Sequence, residues 1–312
     1  MPVLIETAYA KINLALHVRR RRADGYHELE SLFAFVDSGD VLRAEPRNDG
    51  LLTLSIEGPF AQGLDTGPEN LVYRAARSLI SVCPERSRGT YPRPMRARPS
   101  TALGNSDGLQ IMDSGQAGAN LHLTKNLPVA SGIGGGSADA AAALRLLNRF
   151  WNCGLDDRAL CAIAETLGSD IPACVISQSL RVEGRGEALE ALELPGLSGT
   201  PILLANPGIP LGTAPVFKGW DQQDRGPLDT SSLEAVIALG RNDLEPPARA
   251  LVPEIGQVLE RLSAAHGVRL ARMSGSGASC FALFDSVSAC QSAHQIIAAE
   301  QPEWWLMSGL LR

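Results

Sequence analysis

The stretch that decides the fold runs from Lys125 to Trp151 and reads KNLPVASGIGGGSADAAAALRLLNRFW. It follows a predicted strand over 119–124, and its second half repeats apolar residues at helical spacing. The predicted strand and helix are separated by Gly132, Gly134, Gly135 and Gly136. Because glycine has no Cβ, backbone N–H groups there can approach an anion closely, and the helix N-terminus adds partial positive charge. The unit predicts a phosphate loop, with a flexible linker before a core helix as the alternative.

The spacing of this loop is not that of the two commonest phosphate-binding motifs. The pattern G-x-x-x-x-G-K-[ST] needs a lysine that is absent, and G-x-G-x-x-G is broken because Ser137 stands in place of the last glycine. What remains is P-x-x-x-G-x-G-G-G-S, from Pro128 to Ser137. Ser137 is placed to cap the helix or to contact a phosphate.

The chain length and the net charge limit the possible domain organisation and function. A chain of 312 residues favours two domains or one large α/β domain. The net charge of −6 argues against a general basic surface for nucleic acid. An acidic protein that handles phosphates must therefore concentrate positive charge locally.

The composition also indicates the cellular compartment of the protein. The six cysteines form no C-x-x-C pair, and they are interpreted as buried thiols of a reducing cytoplasm. The apolar start of the chain is interrupted by Glu6, Lys11 and Asn13, so it is predicted to be neither a secretory signal nor a membrane span. We therefore expect a cytoplasmic protein.

Local patterns predict most of the elements. Residues 5–18 alternate as a strand, Arg19 to Arg22 are expected in a solvated turn, and 31–56 are expected to hold two or three strands separated by Asp-Ser-Gly and Asn-Asp-Gly turns. Helices are predicted over 70–80 and 156–167, and a hairpin over 180–189. Residues 84–118 are rich in proline and arginine and predict a long loop insertion.

Three motifs together resemble one family. The glycine loop resembles the ATP loop of the GHMP kinases, the family of galactokinase, homoserine kinase and mevalonate kinase. The sequences A-K-I-N-L at 10–14 and D-G-Y-H at 24–27 resemble the branch that phosphorylates a cytidine diphosphate-linked methylerythritol. The resemblance covers nearly the whole chain apart from the insertion at 84–118. It implies an α+β, two-domain GHMP kinase fold: an N-terminal ribosomal-protein-S5-like, ATP-binding domain over 1–181 and a C-terminal α/β sandwich domain over 182–312, with the site in the cleft between them.

The resemblance implies the reacting groups. Lys11 corresponds to the active-site lysine, and Asp170, in G-S-D-I-P, to the aspartate that faces the substrate hydroxyl. We expect Asp170 to act as general base, with Lys11 stabilising charge on the transferred group. From the residues alone, a lysine in a strand is usually an edge or solvent residue, and Asp170 can be a helix cap.

The resemblance also implies the ligand contacts. ATP is expected to be bound by Pro128, Gly132, Gly134, Gly135, Gly136, Ser137, Asn70 and Lys125, and Mg²⁺ by Ser137. The alcohol substrate is expected to be bound by Asn13, Tyr26, His27, Thr213 and Phe217. Phe217 is predicted to face Tyr26 across the cytosine. Asn70 is also a sound helix cap, and Tyr26 and His27 can be ordinary packed and surface residues.

The implied activity is ATP-dependent phosphorylation of the 2-hydroxyl of the methylerythritol unit, in the non-mevalonate route to isoprenoid precursors. Two alternatives stay open: another GHMP kinase of the homoserine or mevalonate type, and a non-catalytic nucleotide- or RNA-binding module. We expect a small-molecule substrate, no nucleic-acid or membrane partner, and a monomer or weak homodimer.

Overall fold

The first sheet is built around two long antiparallel strands. The structure, a computed structural model, describes residues 2–83 and 118–312. There the 6-stranded sheet contains β1 (Leu4–Arg21), β2 (His27–Arg47), β3 (Leu52–Glu57), β4 (Gly118–Thr124), β5 (Leu180–Gly184) and β6 (Ala188–Ala191). With 21 residues, β2 pairs with β1 along one edge and with both β4 and β5 along the other. The parts of the chain before and after the glycine loop therefore meet on one strand.

A layer of helices packs against this sheet. It consists of α1 (Leu71–Val82), α2 (Gly135–Phe150), α3 (Asp157–Glu165) and α4 (Ile171–Ile176). Helix α2 contacts β1, β2, α1 and α4, and its alanines 140–143 are fully buried. Short side chains let α2 lie close to its neighbours, so the loop that precedes it is held next to β1.

The second half of the chain forms a smaller sheet with its own helices. The strands β7 (Pro201–Asn206), β8 (Val268–Met273), β9 (Cys280–Phe284) and β10 (Trp305–Leu310) lie in the order β10-β7-β9-β8. The helices are α5 (Thr213–Lys218), α6 (Leu233–Leu239), α7 (Glu245–Leu251), α8 (Glu254–Ser263) and α9 (Val287–Glu300). No helix in the described ranges is both long enough and apolar enough to cross a membrane.

An apolar seam joins the two sheets. Ile12 and Leu14 of β1 lie in one buried cluster with Ile202, Leu204 and Phe281 of the second sheet. The predicted division between residues 181 and 182 falls inside β5, which pairs with β2. Strand pairing thus assigns the β5–β6 hairpin to the first sheet, and the division into domains stays a prediction.

Several local predictions are confirmed, among them helix α1, strand β4, helix α3 and the β5–β6 hairpin. The turn predicted at Asp37-Ser38-Gly39 is wrong, because these residues lie inside β2, where its register with β1 shifts. A Cβ on Gly39 would lie 1.9 Å from the backbone oxygen of Ala8. The glycine is therefore needed for the close approach of β1, and not for a chain reversal.

The predicted arginine turn is also largely wrong. Arg19, Arg20 and Arg21 end β1, and the turn begins at Arg22. Arg19 pairs with Glu30 at 2.6 Å, a neighbour that the sequence alone does not show. Cross-strand carboxylates on β2 thus let the arginine run continue the strand.

The cysteine prediction needs one correction. Cys83, which follows α1, and Cys153, which follows α2, form a disulfide. Cys161, Cys174, Cys280 and Cys290 are free thiols, as expected. The bonded pair is separated by 70 positions, so nothing in its spacing indicated a pairing. The predicted insertion over 84–118 lies outside the described residues, except for Gly118, which begins β4.

Candidate active site

A cleft of about 930 Å³ lies between the two halves of the protein. Its walls come from β1, the glycine loop, the turn before β2, the start of α4, helix α5 and the turn between β8 and β9. This volume is suited to small-molecule ligands. Nearly all of the predicted site residues line it; the exceptions are Asn70, Lys125 and Pro128.

The predicted catalytic pair is in contact. Lys11 Nζ lies 3.1 Å from Asp170 Oδ2, and its side chain is 6% exposed against 35% for that of Asp170. Asp170 is the N-cap residue of α4, but its side chain makes no capping hydrogen bond, contrary to the capping alternative. The ammonium group is thus set into the wall, while the carboxylate reaches the cleft.

Asn13 holds the ammonium group of Lys11 from the same strand. Its Oδ1 lies 3.3 Å from Lys11 Nζ, and its Nδ2 donates to Ser31 Oγ at 2.8 Å. The ring of Phe33 lies 4.0 Å from Lys11 Nζ. The lysine therefore has a fixed direction, which favours interaction with one position in the cleft.

The glycine loop makes a tight turn beside Lys11. Gly132 and Gly134 have φ values of +79° and +65°, which favour glycine. A Cβ on Gly134 would lie 3.1 Å from Lys11 Cε. Helix α2 begins at Gly135 with no side-chain cap, so the predicted N-cap role of Ser137 is wrong; Ser137 lies within the first turn and lines the cleft. N–H groups without side-chain partners at a helix start are suited to binding a phosphate.

The second glycine turn, between β8 and β9, is hydrogen-bonded to the glycine loop before α2. Ser274 Oγ donates to the oxygen of Gly132 at 2.9 Å and accepts from the N–H of Asn13 at 3.1 Å. The N–H of Ser279 donates to the oxygen of Ser131 at 3.0 Å. Ser276 lines the cleft and contacts Thr213 Oγ1 at 3.1 Å. The turn therefore closes the cleft from the second half of the chain.

Aromatic side chains form another wall of the cleft. The rings of His27 and Phe217 are 5.0 Å apart and tilted by 36°, and Trp220 meets His27 edge-on at 5.6 Å. The ring of Phe217 contacts that of His27, and its predicted place opposite Tyr26 across a bound cytosine stays a prediction. Tyr26 is 61% exposed and lies under the guanidinium group of Arg185. Tyr26 and Phe217 still line the same cleft.

Burial, with the charge of Arg21 adding to it, lowers the pKa of His27 below its usual 6.5. The imidazole is therefore neutral at pH 7, with one nitrogen that donates and one that accepts a hydrogen bond.

Sequence reasoning did not single out some cleft residues. Arg21, Arg185 and Lys218 supply positive charge at the wall, and Trp220 supports His27. The requirement for local positive charge in an acidic chain predicted such cations without placing them. For Trp220, the available signal was an aromatic residue three positions after Phe217.

The three predicted residues outside the lining have structural contacts. Asn70 caps α1, where its Oδ1 accepts from the N–H of Val72 at 2.8 Å, and the carbonyl of Pro128 accepts from Ser131 Oγ at 2.6 Å. Lys125 is 3% exposed. Their predicted contacts with ATP stay predictions.

Lys125 belongs to a buried charge cluster behind the loop. Its Nζ binds Asp40, and also Asp139 at 2.6 Å. Burial opposes the charge on Lys125, but the two carboxylates outweigh it and raise the pKa of the lysine. Burial raises the pKa of Asp139 to about 8. A Cβ on Gly135 would lie 3.1 Å from Lys125 Nζ, so the cluster supports the start of α2.

The chemistry available to the cleft follows from these contacts. A carboxylate beside an ammonium group can accept a proton from a hydroxyl group, and the ammonium group can stabilise negative charge next to it. The uncapped helix start offers N–H donors to a phosphate. The arrangement fits transfer of a phosphoryl group to an alcohol.

Comparisons with known proteins agree with this chemistry. The GHMP kinases N terminal domain matches residues 103–178, and the GHMP kinases C terminal domain matches 228–298. The 4-diphosphocytidyl-2-C-methyl-D-erythritol kinase of Rhizorhabdus wittichii is 47% identical over 309 residues, which cover 98% of this chain and 94% of the relative. The kinase of the same name from Novosphingobium aromaticivorans is 47% identical over 310 residues, with coverages of 99% and 93%.

Solved structures confirm the predicted GHMP kinase fold. A crystal structure of 4-(cytidine 5'-diphospho)-2C-methyl-D-erythritol kinase matches with a TM-score of 0.74 at 32% identity, over 99% of both chains. A homoserine kinase of Cytophaga hutchinsonii has the same fold, with a TM-score of 0.68 at 17% identity over 99% of this chain and 95% of that one. With relatives this similar over almost its whole length, the chain belongs to the GHMP kinase family, within the group of the 4-diphosphocytidyl-2-C-methyl-D-erythritol kinases.

Proposed function

We propose that the protein transfers the γ-phosphoryl group of ATP to the 2-hydroxyl group of 4-diphosphocytidyl-2-C-methyl-D-erythritol, in the non-mevalonate route to isoprenoid precursors. Membership of a family of ATP-dependent small-molecule kinases supports the reaction type. The observation that carries the proposal is the 3.1 Å contact between Lys11 and Asp170 in a cleft that also contains the glycine turn and the aromatic wall.

In this mechanism Asp170 accepts the proton of the attacking hydroxyl group while the bond to phosphorus forms. Lys11 neutralises charge on the transferred group and holds the carboxylate in place. Because Lys11 is fixed by Asn13 and Phe33, it needs no rearrangement when the charge develops. Positioning and electrostatics supply most of the rate enhancement in such a reaction.

The glycine turn is the proposed phosphate site for ATP. The N–H groups at the start of α2 would bind phosphate oxygens, and Ser137 would contribute a hydroxyl group. Residues 2–83 and 118–312 contain no group of three or more His, Cys, Asp or Glu side chains suited to a metal ion. A Mg²⁺ ion, which neutralises phosphate charge when bound, would fit as an ion held mainly by the nucleotide, with Ser137 as its protein contact.

The aromatic wall is the proposed site of the cytosine. His27 offers a neutral donor and acceptor to the edge of the base, while Tyr26 and Phe217 offer ring faces. Asn13 and Thr213 complete the proposed contacts to this substrate.

We further propose that the enzyme works in the cytoplasm as a monomer or weak homodimer, without nucleic-acid or membrane partners. Sedimentation and cell fractionation can test this.

Asp170→Asn tests the proposal, because it keeps the size of the side chain and removes the base. We expect kcat to fall by about 10²- to 10⁴-fold while ATP binding, measured by calorimetry, stays within about twofold. Asp156→Asn is the control, since Asp156 caps α3 and does not line the cleft. Homoserine and mevalonate serve as competing acceptors.

Preferential phosphorylation of homoserine or mevalonate would refute the proposed substrate but would leave the assignment as a kinase intact. A wild-type protein without kinase activity that binds RNA with a steep salt dependence would instead support the binding-module alternative.

A further inference from the structure

We propose that Arg145 is a positioning residue that, from outside the cleft, fixes the distance between Lys11 and Asp170. Arg145 lies on α2 and does not line the cleft. Its guanidinium group instead connects α2 with β1 and α4, the two elements that carry the pair. The inference rests on the proposed roles of Lys11 and Asp170 and concerns what fixes their separation.

One side of the guanidinium group binds the end of α4. Arg145 Nη1 donates to the carbonyl oxygen of Cys174 at 2.5 Å, to that of Val175 at 3.3 Å and to Ser177 Oγ at 3.3 Å. These groups lie in the last turn of α4 and at its C-cap. A cation there satisfies carbonyl groups that have no partner in the helix and interacts favourably with the helix dipole.

The other side of the guanidinium group binds β1. Nη2 donates to the carbonyl oxygen of Thr7 at 3.0 Å, and Nε donates to Glu6 Oε1 at 2.8 Å. Thr7 lies four residues before Lys11 on the same strand. A planar fork with donors in fixed directions can set the distance between two backbones in a way that a lysine cannot.

Among the described residues, Lys11 is the side-chain partner of the Asp170 carboxylate, so the position of that carboxylate also depends on the placement of α4. The side chain makes no capping bond to its own helix, and its contact with Lys11 is the ion pair described above. Helix α4 has only six residues, so a shift at its C-terminal end is passed to Asp170 at the other end. A displacement of about 1 Å at a reacting group can cost about 10²-fold in rate.

The same helix offers a matched control. Arg149 lies one turn later on α2 and binds the other oxygen of Glu6 at 2.5 Å. Its side chain is 51% exposed, against 15% for Arg145. Arg149→Met therefore removes an arginine from the same carboxylate while it leaves the backbone contacts of Arg145 intact.

The test compares Arg145→Lys and Arg145→Met with Arg149→Met in ATP-dependent phosphorylation of 4-diphosphocytidyl-2-C-methyl-D-erythritol. We expect Arg145→Met to lower kcat about 10- to 100-fold with both KM values within about twofold. Arg145→Lys should show an intermediate loss, and Arg149→Met should stay within about twofold of wild type. Rates are normalised to folded enzyme well below the unfolding temperature, so a loss of stability alone leaves kcat unchanged.

A double variant separates positioning from structure. If Arg145 acts through Asp170, adding Arg145→Met to Asp170→Asn should lower kcat by less than about twofold further, whereas a general structural role predicts the full loss again. If Arg145→Met does not fold, Arg145→Lys replaces it in this cycle. A crystal structure of the Arg145 variant should show Lys11 Nζ and Asp170 more than 4 Å apart.

Two failures are distinguishable. An inactive wild type overturns the proposed function, whereas an active wild type with equal kcat in the Arg145 and Arg149 variants overturns the positioning role. Additive losses in the double variant, or an unchanged Lys11–Asp170 contact in the variant structure, would also overturn it.

Discussion

At the scale of single residues, Gly134 combines two requirements in one position. Its φ of +65° disfavours any side chain, and a Cβ there would press on the stem of Lys11. We expect Gly134→Ala to raise the KM for ATP about 10-fold, which corresponds to roughly 1.4 kcal/mol, and to lower kcat as Lys11 moves. Gly154→Ala is the control, because Gly154 has a similar φ of +68° but does not line the cleft and has no atom within 4 Å of an added Cβ. Equal effects at both positions would contradict this account.

His27 gives the cleft a defined response to pH. Its pKa lies below the ordinary 6.5, so the neutral form predominates at pH 7 and is lost only in acid. If neutral His27 binds the cytosine, the KM for the cytidine substrate should be flat from about pH 8 to 6.5 and rise below that range. A His27→Asn variant should lack this rise, as measured by steady-state kinetics across the pH range. An acid rise of equal size in the variant would assign it to another group.

At the scale of elements, the Cys83–Cys153 disulfide joins the ends of α1 and α2. In the chain-entropy model, closing a loop of 70 residues stabilises a fold by roughly 4 kcal/mol. We expect the denatured, unreduced protein to titrate four thiols and the reduced protein six. Reduction should lower the free energy of unfolding by roughly 2–4 kcal/mol, and Cys161→Ser should leave it within about 0.5 kcal/mol. Six thiols without reduction would contradict the bond.

The elements also show where sequence reasoning succeeds. The glycine loop was found from its local spacing, Lys11 and Asp170 from short motifs that resemble a known family, and the structure brings all three together. The interior of β2 was wrongly predicted as a turn, because Gly39 is required by its close contact with the backbone of Ala8 on another strand. Contacts of this kind depend on register, which a single sequence does not contain.

The same limit applies to the residues that support the site. Arg145 and Trp220 looked like ordinary helix and loop residues, since their partners lie on other elements. Lys125 is buried and paired with Asp40 and Asp139, which its position before the glycine loop does not indicate. Burial and charge pairing of this kind arise only in the folded chain.

At the scale of the whole molecule, the seam of Ile12, Leu14 and Phe281 continues beneath the cleft. Moving the two sheets apart would expose these side chains to water, and exposing each one costs about 1.5–3 kcal/mol. Separating the two sheets would therefore be costly, and we expect ligands to exchange without it. Tyr26 and Arg185 are exposed side chains that line the cleft and contact each other, so product release is expected to require the displacement of side chains rather than of whole sheets.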